Sequence, residues 1–124
     1  MRLTFNKSER LKSKKLIDTL FNEGKAIKVF PLKLIYLETS YDSSIPIKAG
    51  VSVSKRNFKK AVDRNRLKRL LREAYRLNKV ELFNKITTQY AFMILYIGKD
   101  GTDFETVNHK MKQLINKFLE AVSE

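Results

Sequence analysis

Hydrophobic positions fall in two periods along this chain, and the alternation between them outlines the fold. Leu16, Ile17, Leu20 and Phe21 recur at helical spacing, which predicts a first helix from about Ser13 to Asn22, stopped near Gly24. Leu32 to Glu38 reads as a strand. Ala49 to Ser54 sets Val51 and Val53 among small residues and reads as a second. Between them, Tyr41-Asp42-Ser43-Ser44-Ile45-Pro46 has turn chemistry. A long helix is expected from about Ala61 to Asn78, with Leu67, Leu70, Leu71, Ala74 and Leu77 on its core arc. The apolar run Tyr90 to Ile97 is too short to span a bilayer and predicts a buried strand. Thr102-x-x-Glu105 resembles a capping box opening a last helix, whose apolar face is Val107, Met111, Leu114, Ile115, Phe118, Leu119 and Val122. The expected class is α+β: a small central sheet with helices packed on it, in a single domain spanning residues 1–124.

Charge sharpens this picture. Lys and Arg number 26 against 13 Asp and Glu, a net of +13. Residues 1–15 contribute five of that excess and residues 55–76 contribute eight, so the remainder is near neutral. Such concentrations attract polyanions. On the long helix Arg64, Lys68, Arg72 and Arg76 form an i, i+4 stripe with Asn65 and Arg69 beside it and Glu73 apart from it. Like pairs at that spacing cost about 0.2–0.5 kcal/mol each, which a bound polyanion would relieve. Arginine's planar fork suits phosphate or a stacked base. Asn65 reads equally as a helix cap or as a contact to a sugar or base edge. If about six phosphates are neutralised, log K against log salt has a slope near −4 to −5.

Other chemistry finds little support. With no cysteine and one histidine, His109, thiolate and histidine-cluster metal sites are excluded. Asp100, Asp103 and Glu105 suit a helix N-terminus better than a metal, and no catalytic constellation of side chains appears. No signal-length apolar stretch follows the basic N-terminus, so a cytoplasmic protein with no membrane or DNA partner is expected.

One segment is more specific. Ser52-Val53-Ser54-Lys55-Arg56, followed by Ala61-Val62-Asp63-Arg64-Asn65-Arg66-Leu67-Lys68-Arg69-Leu70-Leu71-Arg72-Glu73-Ala74-Tyr75-Arg76, closely resembles the signature of the bacterial ribonuclease P protein subunit. Arg10-Leu11-Lys12 and a first helix ending in Phe21 and Gly24 extend the likeness. The resemblance implies a left-handed βαβ crossover through the long helix. It also implies a protein that assists a catalytic RNA in maturing the 5′ end of precursor tRNA, with Mg²⁺ held mainly by that RNA. By the same resemblance Arg64, Asn65, Arg66, Lys68, Arg69 and Arg72 would face the catalytic RNA, with Lys55 and Arg56 nearby. The precursor's 5′ leader would lie between Ile17 and Phe21 on the first helix and Leu34 and Tyr36 on the first expected strand, with no catalytic side chain and a monomer when free. A structural RNA-binding protein of ribosomal type is the alternative. The chain departs from the family pattern at Ile17, often aromatic, in the glycine-free turn Asn57-Phe58-Lys59-Lys60, and at Tyr96-Ile97-Gly98-Lys99, where an arginine is usual.

Overall fold

The computed structural model describes residues 7–41 and 44–123; Arg2, Asp42 and Ser43 lie outside the described residues. A single 3-10 turn at Lys7–Glu9 leads into α1, Lys14–Glu23, capped by the Ser13 hydroxyl, which accepts from the Leu16 amide at 3.2 Å. Then follow β1 (Lys25–Val29), β2 (Leu32–Glu38), β3 (Ile47–Val53), α2 (Ala61–Lys85), β4 (Tyr90–Tyr96) and α3 (Phe104–Val122). The four strands form one sheet in the order β1-β2-β4-β3. β2 runs antiparallel to both β1 and β4, while β3 runs parallel to β4 and is joined to it through α2.

Each face of the sheet has its own core. On one, Leu32, Leu34, Tyr36, Ile47, Phe92 and Ile94 meet α2 through Leu67, Leu71, Ala74, Tyr75 and Leu82, and α3 through Val107, Met111, Leu114, Ile115 and Phe118. On the other, Ala91 and Met93 pack with Leu20 of α1 and with Leu11, beside Leu16, Ile17, Ile35, Leu37 and Leu95. Being covered on both faces, β4 needs apolar residues at successive positions, and hence reads as an unbroken apolar run.

Several sequence expectations change. β1 was not anticipated, although Ile27 and Val29 alternate with lysines and Pro31 marks the two-residue hairpin to β2. α2 continues seven residues past Asn78, whose side-chain amide donates to the Ala74 carbonyl and to Asn108 Oδ1, both at 2.7 Å, tying α2 to α3 instead of ending the helix. Leu77 is 40% exposed and leaves the core arc, because the buried stripe follows Leu67, Leu71, Tyr75, Lys79 and Leu82. At α3 the cap stands one residue later than expected. Asp103 accepts from the Thr106 amide at 2.9 Å, which holds its carboxyl below its ordinary range.

The largest correction concerns Leu34 and Tyr36. Both are buried in the α2–α3 core, Tyr36 edge-on to Phe118 at 5.0 Å. Side chains alternate faces along a strand, so β2 offers α1 the residues one step away, Lys33, Ile35 and Leu37. A cleft between α1 and the sheet is not lined by Leu34 or Tyr36.

Candidate nucleic-acid interface

The basic segment begins where β3 gives way to α2. Lys55 and Arg56 are exposed on a turn closed by a bond from the Phe58 amide to the Ser54 carbonyl at 3.1 Å and one from the Arg56 amide to Ser54 Oγ at 3.1 Å. Phe58 fastens it by burying its ring 5.8 Å from that of Tyr96. No described residue has a positive φ, so this turn has no need of the absent glycine.

α2 lacks a side-chain cap at Lys60, and Arg64 supplies partners for the turn from inside the helix. Its guanidinium donates to the carbonyls of Phe58 at 2.8 Å and Lys59 at 2.9 Å. Arg64, expected in the RNA-facing stripe, is thus committed first to the turn. At the other end of the stripe Arg76 pairs with Glu73, which holds that carboxyl below its usual range. Glu73 therefore does not stand apart from the stripe; it neutralises the last member. Asn65 is exposed in the first turns of α2, five residues after the cap position, so the capping reading is rejected. Arg66 and Arg69 are exposed and Lys68 half-buried, with Arg66 toward Tyr96 and Asp103.

Arg72 lies beside the N-terminal segment. Burial, and then the charge of Arg10, lower the proton affinity of its guanidinium. Arg10 reaches it because the N-terminal segment lies along the edge of β3: Arg10 bridges Ala49, and the Leu11 amide donates to the Ala49 carbonyl at 2.9 Å. Leu11 fills the smaller core and leaves its chain neighbours Arg10 and Lys12 exposed. An ion pair fixes the preceding turn, Glu9 with Lys79 of α2, both buried.

Arg10, Lys12 and Arg72 thereby line a groove of about 330 Å³ whose apolar wall and floor are Ile17, Gly50 and Met93. A Cβ at Gly50 would stand 3.1 Å from the Met93 methyl, so glycine keeps this floor open. A second hollow, formed by Arg10, Arg69, Arg72, Arg76 and Phe104, continues the basic surface over α2. Ile17 thus lines the groove, and Phe21, one turn on along α1, is 47% exposed and no part of the core. Arg10 and Lys12 were not singled out from sequence as site residues. The alternation of Arg10 and Lys12 about Leu11 was their signal, since a strand-like segment sends such neighbours to one side.

A parallel crossover, an arginine-rich helix starting from it and a cationic groove beside α1 are therefore combined in one chain. The sequence model of the family described as Ribonuclease P matches residues 5–119. The chain belongs to the ribonuclease P protein family. It is 42% identical over 114 residues to the ribonuclease P protein component of Porphyromonas gingivalis, covering 87% of this chain and 81% of that one. The protein component of Chlorobium phaeobacteroides is 38% identical over 128 residues, with 91% and 86% covered. Among solved structures, the RNase P protein of Thermotoga maritima superposes with a TM-score of 0.69 at 26% identity, covering 88% of this chain and 96% of that one. The Staphylococcus aureus protein shares the fold, with a TM-score of 0.67 at 17% identity over 90% and 96% of the two chains. Membership makes this chain the protein subunit of a tRNA-processing endoribonuclease, with an RNA partner in the ribonucleoprotein. Among the described residues no helix is long and apolar enough to cross a membrane.

Proposed function

We propose that the chain docks on the catalytic RNA through Asn65, Arg66, Lys68 and Arg69 on the outer side of α2, with Lys55 and Arg56 on the adjoining turn. The groove of Arg10, Lys12, Arg72, Ile17 and Gly50 receives the single-stranded 5′ leader of precursor tRNA. The observation that carries this reading is the groove itself: three cations around an apolar floor. Cations there meet the phosphates, and the apolar floor meets the bases, as single strands require. Phe21, exposed on the same helix as Ile17, is the aromatic side chain that a leader base can stack on.

Phosphodiester hydrolysis on this reading belongs to the RNA and to Mg²⁺ that the RNA holds. Asp103, the best placed acid after β4, is occupied in capping α3. The protein acts as a monomer in the cytoplasm, and its contribution is to bind the precursor more tightly than the product. Reconstitution with a cognate catalytic RNA tests this. At low Mg²⁺ the protein is expected to stimulate precursor cleavage, and the complex to prefer precursor over mature tRNA. Stimulation without that preference would remove the leader role, and neither effect would leave a structural RNA-binding protein of ribosomal type.

A further inference from the structure

α1 lies over β2 and β4 and makes no contact with β1 or β3, so it leaves the outer strands of that sheet face uncovered. Strand register sets one residue of each strand in a row across that face. Lys28 of β1 stands beside Lys33 of β2, Lys33 beside Leu95 of β4, and Leu95 beside Ser52 of β3. The next row inward is Ala26, Ile35, Met93 and Gly50, so neither row holds an acid. Lys28 is exposed and Lys33 half-buried, and neither has an ion-pair partner among the described residues. Like charges directly opposite one another across two strands are unfavourable. Just beyond them, at the hairpin tip, Phe30 is 63% exposed.

Lysine on an edge strand commonly blocks pairing between sheets, which accounts for Lys28 on β1. It does not account for Lys33, because β2 is an interior strand. Two facing lysines, an apolar strip and an exposed ring are the components of a single-strand binding surface. The row is continuous with the groove, since Gly50 and Met93 belong to both the groove and the second row.

We infer that this row is the outer stretch of the leader path. A strand leaving the groove at Gly50 passes over Ser52 and Leu95, brings phosphates to Lys33 and Lys28, and stacks a base on Phe30. The inference rests on the leader reading of the groove. From Ser52 to Lys28 is three strand spacings, about 14 Å. Nucleotides next to the cleavage site therefore remain in the groove, and those farther upstream reach the lysines. The row makes affinity depend on leader length.

The test uses the holoenzyme reconstituted with its catalytic RNA, measuring Kd for mature tRNA and for precursors with leaders of about two and about ten nucleotides. Lys28→Thr with Lys33→Thr is expected to weaken the long-leader precursor about tenfold and to change the other two less than about twofold. Its salt slope should fall by about 1.4, for two single-strand phosphates. Phe30→Ser should weaken the same substrate about fivefold or more, the loss of one stacked base. Equal losses on all three RNAs would overturn the inference, placing the contact on the tRNA body or catalytic RNA; so would an unchanged long-leader Kd. Arg72→Ala, measured in parallel, separates the two levels. If it weakens both precursors while the lysine variant is silent, the groove stands and the extension fails. If both variants are silent, the leader reading itself fails.

Discussion

Replacing Lys79 with methionine isolates what holds the N-terminal segment in place. Lys79 is 2% exposed and Glu9 7%, and the ammonium that bonds Glu9 also stands 5.5 Å over the ring of Phe83. Removing one partner of a buried pair leaves the other charge without compensation, at about 3–5 kcal/mol. Glu9 has an escape, however, because it sits on a lone 3-10 turn instead of in a helix or strand. That turn is kept down by the buried side chain of Leu11, about 2 kcal/mol, and by the Leu11 amide bond to Ala49, about 1 kcal/mol. Once the penalty passes about 3 kcal/mol the segment releases, and the loss stops growing. Lys79→Met is thus expected to lower unfolding free energy by about 3 kcal/mol, a large share of a typical 5–15. Urea denaturation reads the total, and hydrogen exchange locates it: the Leu11 amide should lose protection while β4 keeps its own. Glu9→Gln added to Lys79→Met should recover most of the loss, since no buried charge then remains. A single variant within about 0.5 kcal/mol of the parent, with Leu11 still protected, would refute the reasoning.

Arg64→Ala should cost stability, about 1.5–3 kcal/mol for its charge-assisted bonds to two turn carbonyls, whereas Arg69→Ala should leave stability unchanged. Arg69→Ala should instead flatten the RNA-binding salt slope by about 1, so denaturation and salt titration of the two variants separate their roles. Alkali should destabilise the fold. Burial pushes Tyr41 up to about 12 and raises Tyr75 and Tyr96 as well, so their folded forms retain protons that the unfolded chain releases above about pH 10. Stability from these phenols is complete below that pH and is lost as pH rises toward the folded values; Tyr41→Phe should make the denaturation midpoint less sensitive to pH there. Asp103 has the opposite sign. Its bond from the Thr106 amide lowers its pKa, so its contribution is present above about pH 4 and lost as pH falls through the folded value. Asp103→Ala should lower the melting temperature at neutral pH, and the difference should shrink in acid.

The limits of sequence reading follow from the periods it relies on. α1 and the face of α3 were legible because each buries one side, leaving a clear period of 3.6. β1 was obscured because Ile27 and Val29 alternate with lysines over only five residues at the sheet's edge. Leu34 and Tyr36 were assigned to the wrong face for a related reason. β2 is lined on both sides, by the main core and by α1, so hydrophobicity alone does not say which set of alternate residues meets which helix. On α2 the stripe of cations was visible, but the commitments of Arg64 to the turn and Arg76 to Glu73 depend on side-chain geometry. The groove needed tertiary structure, since Arg10 and Arg72 are 62 positions apart and meet through a bridge to Ala49.

That meeting bears directly on the ligand. Arg10 and Arg72 are like charges that line the same two hollows, and burial adds to the strain on Arg72. A lysine so placed could relieve the repulsion by losing its proton. An arginine starts from so high a proton affinity that a lowered value leaves it charged at neutral pH. Two guanidiniums lining one groove offer planar forks that suit the paired oxygens of a phosphate, which supports the leader reading of the groove. The Glu9–Lys79 pair fixes the turn that precedes Arg10. It neutralises one cation of α2 inside the protein while its segment presents Arg10 and Lys12 outside. With Arg64 and Arg76 engaged internally, Arg66 stays exposed beside Tyr96 and Asp103 while Arg69 and Arg72 share the second hollow with Arg10, so the cationic surface of α2 runs on into the groove.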